Sequence, residues 1–204
     1  MESSNMDGKT NNPKKIRKIL EKTLDEKRFE HTLGVAYTAS ALAMRYESDV
    51  KKAEVAGLLH DCAKCISNEK KLTMCQKYNI NVNEVEQKNP FLLHAKLGSF
   101  LAMKKYKVTD KDIINAILNH TTGRPEMSLL EKIVFVADYI EPNRIQAPNL
   151  VLIRKTAFID LDKSVLMILG DTLNYLDSIT EAIDPITRKT YEYYKKLFDS
   201  NKTI

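Results

Sequence analysis

From Pro13 onward the chain repeats one pattern: apolar residues at helical spacing, interrupted by short polar or proline-bearing stretches, with no alternation long enough for a half-buried strand. A chain without strand segments has to close its core helix against helix. The periodicity predicts helices over 13–24, 26–46, 49–63, 67–78, 90–106, 109–121, 128–140, 159–178 and 186–199. Pro13 suits a first helical position. The breaks fall at the cap Ser67-Asn68, at Asn79 to Asn83, at Asn89-Pro90, at Thr122-Gly123-Arg124-Pro125, and from Pro142 to Pro148. Six Gly and six Pro in 204 residues are also few for a turn-rich β protein. The expected class is all-α.

Residues 1–12 are polar and unable to bury enough apolar surface to order themselves, so they are expected to form a disordered tail before a single domain over 13–204. The formal net charge is +5, with part of the excess in Lys9, Lys14, Lys15, Arg17, Lys18 and Lys22. Ile16, Ile19 and Leu20 fall at helical spacing among those cations, which makes them the solvated face of an amphipathic helix rather than a nucleic-acid footprint. There is no apolar run of about 18 residues and no hydrophobic signal core, so neither a membrane partner nor secretion is expected, and the location read is cytoplasmic. Three cysteines, an odd number, fit a reducing compartment. Cys62-Ala63-Lys64-Cys65 is a C-x-x-C, but redox pairs of that kind accompany a βαβ pattern and zinc sites need a second pair, and Cys75 stands alone.

The chain has only four histidines, His31, His60, His94 and His120, and each lies in or beside a helical segment. Asp61 follows His60 directly at the end of the apolar run Val55 to Leu59. Asp138 ends the run Ile133 to Ala137, where a carboxylate has no evident role except as a ligand or a buried partner. A helical bundle can project such residues inward to one point. Adjacent helix positions diverge by about 100°, so His60 would bind one ion while the two oxygens of Asp61 bridge a pair. Imidazole-rich ligation favours iron, manganese, cobalt, nickel or zinc over magnesium or calcium. Ions of that kind lower the pKa of bound water toward about 7 and supply a hydroxide nucleophile. Two such ions carry more positive charge than Asp61, Asp138 and a bridging hydroxide neutralise, and a cationic site suits a phosphate.

The order His31, His60-Asp61, His94, His120, Asp138 resembles the HD superfamily of metal-dependent phosphohydrolases, over about residues 26–145. The words Arg28-Phe29-Glu30-His31-Thr32, Leu59-His60-Asp61-Cys62-Ala63-Lys64, Leu93-His94-Ala95, His120-Thr121-Thr122-Gly123 and Ala137-Asp138-Tyr139-Ile140-Glu141-Pro142-Asn143-Arg144 resemble the bacterial YqeK-type symmetrical diadenosine tetraphosphate hydrolases. The resemblance implies an HD-domain helical bundle, iron as one or two ions, and cleavage of diadenosine tetraphosphate into two ADP. It implies that His31, His60, Asp61 and Asp138 hold one metal tightly. His94 and His120 would complete a second site or contact phosphate, giving Asp61, His94 and His120 the catalytic roles. The stretch Ile183-Asp184-Pro185-Ile186-Thr187-Arg188 resembles the family's nucleotide-contacting segment, which puts Pro185 and Thr187 against the substrate.

Spacing adds phosphate contacts of its own. Arg28 stands three residues before His31 and Lys64 four after His60, positions that share a helix face. Arg144 follows Asp138 across Pro142, and a guanidinium suits bidentate phosphate binding. Arg124, in the loop after His120, is a further candidate. The expected step is attack of the activated hydroxide on a phosphorus while Arg28, Arg144 and Lys64 stabilise the equatorial oxygens. Rival readings are an HD phosphohydrolase of mononucleotides, deoxynucleotide triphosphates, alarmones or cyclic dinucleotides, an HD-type diiron oxygenase, and a non-catalytic nucleotide-sensing module. The apolar face of 159–178 would cap the core or mediate a homodimer.

Overall fold

The computed structural model describes residues 12–179 and 183–200, and among them every regular element is a helix. In order these are α1 (Pro13–Glu21), α2 (Glu26–Arg45), α3 (Val50–Leu59), α4 (Asn68–Lys77), α5 (Glu84–Lys88), a 3₁₀ turn (Pro90–Leu93), α6 (His94–Lys104), α7 (Lys111–Asn119), α8 (Leu129–Ile140), α9 (Leu150–Ala157), α10 (Leu161–Ser178) and α11 (Pro185–Ser200). Starts are capped as their sequences require: Asp25, Asp49, Ser67, Asp110 and Asp160 each accept backbone N–H groups of the first turn, and Ser128 with Glu131 forms a capping box. The expected tail lies outside the described residues except for Asn12, which caps α1 by accepting the Lys14 N–H and so belongs to the fold.

Two helices were not expected. The five-residue α5 is held by its own capping box, Asn83 with Glu86. Helix α9 lies between the break that ends at Pro148 and the helix expected from 159, a stretch given no element, and its run Leu150-Val151-Leu152-Ile153 lacks visible periodicity because only Leu150 and Ile153 are buried. The segment expected as 49–63 ends sooner, at Leu59, and continues as tight turns closed by Cys62 N–H to Leu59 O and Lys64 N–H to Asp61 O.

The core gathers α2, α3 and α8 around Val35, Ala39, Leu42, Leu58, Ile133 and Val134, all buried. Helices α2 and α3 approach so closely that a Cβ on Gly57 would lie 2.7 Å from Ala36 Cα, which only glycine avoids. That approach brings the end of α3 beside His31. The α6–α7 pair packs beside α3, and α10 and α11 pack beyond α8. Val165, Ile168 and Leu169 of α10 are buried, so this helix caps the core. No helix among the described residues is long and apolar enough to cross a membrane.

Candidate metal centre

Three of the histidines are oriented by the same device. His60 Nδ1 donates to Gly57 O, His94 Nδ1 to Phe91 O and His120 Nδ1 to Ile117 O, each at 2.7 Å and each to the carbonyl three residues earlier. His60 and His120 stand at the C-caps of α3 and α7, where the last-turn carbonyls have no partner within the helix. A helix end therefore supplies both a rigid position and the acceptor that fixes the tautomer, leaving Nε2 free to bind. His31, inside α2, uses a carboxylate instead: its Nδ1 lies 3.0 Å from Glu141 Oε1.

The four Nε2 atoms converge on Asp61, whose side chain is 3% exposed. Asp61 Oδ2 faces His60 at 3.5 Å, His31 at 4.0 Å and Arg28 Nη1 at 2.7 Å. Its Oδ1 faces His94 at 3.3 Å, His120 at 3.5 Å and Lys64 Nζ at 4.0 Å. Asp138 Oδ1 closes the first side, 3.1 Å from His31 Nε2 and 3.9 Å from His60 Nε2. Burial opposes the charged form of Asp61, but His60, His120 and Lys64 outweigh it and hold the carboxyl well below its ordinary value. Burial likewise opposes ionisation of Asp138, and His31 and His60 overcome it in the same direction. His94 is pushed down to about 3 by burial and by its neighbours His120 and Lys64, so it stands neutral, the form a metal needs.

His31 Nε2, His60 Nε2 and Asp61 Oδ1 are buried without a hydrogen-bond partner. Buried polar atoms are nearly always satisfied, and unmet ones at a convergence of donors mark a place for an ion. His31, His60 and Asp138 offer ligand atoms within 4.8 Å of one another, and so do His60, Asp61 and His120. The donor set of imidazoles and carboxylates fits divalent transition metals.

All six expected ligands are thus brought together. Arg28 reaches the centre from α2, the helix it shares with His31, and Lys64 Nζ lies 3.3 Å from His94 Nε2, although Lys64 arrives by way of the turns after α3 and not along one helix face with His60. Arg144 stands at its rim, with Nη2 3.2 Å from Asp138 Oδ1. Thr187 is buried and lines a cavity of about 420 Å³ next to Thr121, whereas Pro185 opens α11 in an exposed position outside that lining. Arg124 is a correction: its Nε and Nη2 grip Glu131 at 2.7 Å each and its Nη1 donates to Pro125 O, so it braces the α7–α8 connection. Arg124→Ala should lower stability by about 2 kcal/mol, the scale of a hydrogen-bonded charge, in denaturant unfolding, and leave metal affinity unchanged. Cys62 points to Gly98 O and its thiol is pushed up to about 12 by burial, consistent with an inert C-x-x-C.

Sequence reasoning missed two residues. Thr121 Oγ1 lies 3.2 Å from His94 Nε2 and 3.1 Å from His120 Nε2, placing a hydroxyl at the second histidine pair. Glu141, within the Ala137 to Arg144 stretch, is 2% exposed and orients His31. Its place after the α8 terminus, three residues beyond Asp138, was the available signal.

A helical bundle that gathers four histidines and two aspartates at one point, five of them placed so that they could hold an ion, has the architecture of a histidine–aspartate metal-site protein. The chain belongs to the HD domain family, whose pattern it matches over residues 28–143. It is 39% identical over 170 residues to the symmetrical bis(5'-nucleosyl)-tetraphosphatase of Bacillus subtilis, covering 83% of this chain and 90% of that one. It is 35% identical over 167 residues to the protein of the same name from Staphylococcus aureus, covering 81% and 85%. The crystal structure of a predicted HD superfamily hydrolase involved in NAD metabolism from Clostridium acetobutylicum superposes with a TM-score of 0.87 at 40% identity, covering 91% of this chain and 97% of that one.

Proposed function

We infer that the protein hydrolyses diadenosine tetraphosphate symmetrically to two ADP. The carrying observation is the division of Asp61, with Oδ2 toward His31 and His60 and Oδ1 toward His94 and His120. One carboxylate between two imidazole pairs suits a two-ion phosphohydrolase. Relatives of this name aligned over most of the chain support the substrate.

In this reading His31, His60, Asp61 and Asp138 would hold one ion, Asp61 would also serve a second, and His94 and His120 would hold that second ion or a phosphate oxygen. The bound metal supplies an activated water, and iron is the proposed metal, with manganese, cobalt, nickel or zinc also suited to these donors. Arg28 and Arg144 meet phosphate oxygens on the Asp138 side, Lys64 and Thr121 on the His94 side. Water adds to one of the two inner phosphorus atoms, the central bridging bond breaks, and its oxygen leaves with the other ADP. Thr187 contacts one nucleotide half from the cavity beside Thr121, with Pro185 placing the start of α11. The tail over 1–12, one domain over 13–204, a cytoplasmic location and the absence of nucleic-acid and membrane partners belong to the same proposal. A homodimer stays in it only as a second role for the exposed side of α10.

The test is to purify the protein, measure its metal, and follow nucleotides after adding diadenosine tetraphosphate. ADP as the sole product, lost on chelation and restored by metal, is expected. ATP with AMP, or no metal dependence, refutes the reading.

A further inference from the structure

A cut at the centre of a symmetrical substrate leaves equal halves on either side, so the metal centre needs a nucleotide subsite on each flank. The cavity beside Thr121 lies on the His94–His120 flank. On the Asp138 flank a groove of about 660 Å³ is lined by Arg144, Ile145, Leu150, Val151, Leu152 and Lys155 among others. Its size falls in the range of roughly 300–1,000 Å³ common for small-molecule sites.

Three observations give this groove its ligand chemistry. Ile145, Val151 and Leu152 are 84%, 69% and 55% exposed, a cluster of large apolar side chains that core packing does not explain. Arg144 joins the groove to the centre, since it both lines the groove and contacts Asp138, and Lys155 adds a second cation at the groove edge. Arg154 is excluded as a phosphate contact because its Nε and Nη2 donate to the carbonyls of Ile140, Glu141 and Arg144 at 2.9, 2.7 and 2.9 Å. That arginine instead anchors α9 to the end of α8 and fixes the groove's position relative to the centre.

We propose that the groove between Arg144 and Lys155 receives the second nucleoside of a dinucleoside tetraphosphate, its base covering Ile145 and Leu152 and its phosphates passing Arg144 to the metal centre. The inference rests on the function proposed above. The groove, not the catalytic residues, then accounts for preference for a dinucleotide over a ligand with one nucleoside.

The test compares wild type with the double variant Ile145→Ser and Leu152→Ser, both at exposed positions and both neutral. KM for diadenosine tetraphosphate should rise about tenfold or more as apolar contact is lost. The inhibition constant of adenosine 5'-tetraphosphate, which has one nucleoside and can use the Thr121 cavity, should stay unchanged. Lys155→Ala should weaken the dinucleotide alone, with an effect that fades as salt rises. An unchanged KM, or equal weakening of both ligands, overturns the groove assignment while the proposed activity stands. Unchanged kinetics with a dimer in wild type that the double variant loses, seen by sedimentation, assigns the face to a second copy of the chain and also overturns it. A wild type that does not cleave the dinucleotide overturns the proposed function and this inference with it.

Discussion

Asp61→Asn should leave the helical bundle folded and remove metal-dependent turnover by about 10³-fold or more, matching the several kcal/mol that metal activation of water contributes. The substitution keeps the side-chain volume and removes the charge on which four imidazoles and Arg28 converge. Arg28 is 32% exposed on its side chain and can rehydrate when its partner is neutral, so the metal-free proteins should differ by only about 1 kcal/mol. The distinguishing measurement is thermal unfolding with and without metal. A bound ion stabilises the folded state by mass action, so wild type should show a metal-induced rise in Tm and the variant should not. Turnover together with an intact Tm shift in Asp61→Asn would remove the bridging carboxylate from the proposal.

Glu141→Gln should weaken metal binding by about 10–100-fold, the usual effect of removing the group that orients a ligating histidine. Glu141 serves two donors at once: Oε1 faces His31 Nδ1 at 3.0 Å, and Oε2 accepts the Asn143 N–H at 2.7 Å. A glutamine offers one oxygen and one amide group, so either His31 or Asn143 would meet a donor in place of an acceptor. The loss should appear in the metal titration, with kcat largely restored once metal is saturating. A kcat that stays low with unchanged metal affinity would assign Glu141 a different role. Gly34 belongs to the same arrangement, because a Cβ there would run into Glu141 Oε2.

The convergence of the candidate ligands was legible because each is a polar residue at the end of, or within, a run otherwise committed to burial. His60-Asp61 after Val55 to Leu59 and Asp138 after Ile133 to Ala137 stand out against any purely structural pattern. The second rank left only the spacing of Glu141 from Asp138 as a trace, because Glu141 and Thr121 act through geometry that exists only once α8 packs on α2 and the end of α7 meets the start of α6. The overrun of the segment from 49 to 63 has a local cause. Ala63 is buried and continues the apolar pattern, while the chain has already tightened into turns and the His60 ring has taken the Gly57 carbonyl. Helix α9 escaped notice because exposed Val151 and Leu152 mask its periodicity. Arg124 misled because a cation beside His120 reads as a phosphate contact until Glu131 is seen to bind it.

The proposed ligands come from α2, the ends of α3 and α7, the start of α6 and the last turns of α8, segments far apart along the chain. A bound ion therefore acts on folding as a non-covalent cross-link that closes several long loops at once. Helix ends ordinarily fray and exchange their amide hydrogens first. In the loaded protein the termini of α3 and α7 should exchange as slowly as the middle of α2, so that occupancy of the centre is recorded in the cooperativity of the whole bundle as well as in its chemistry.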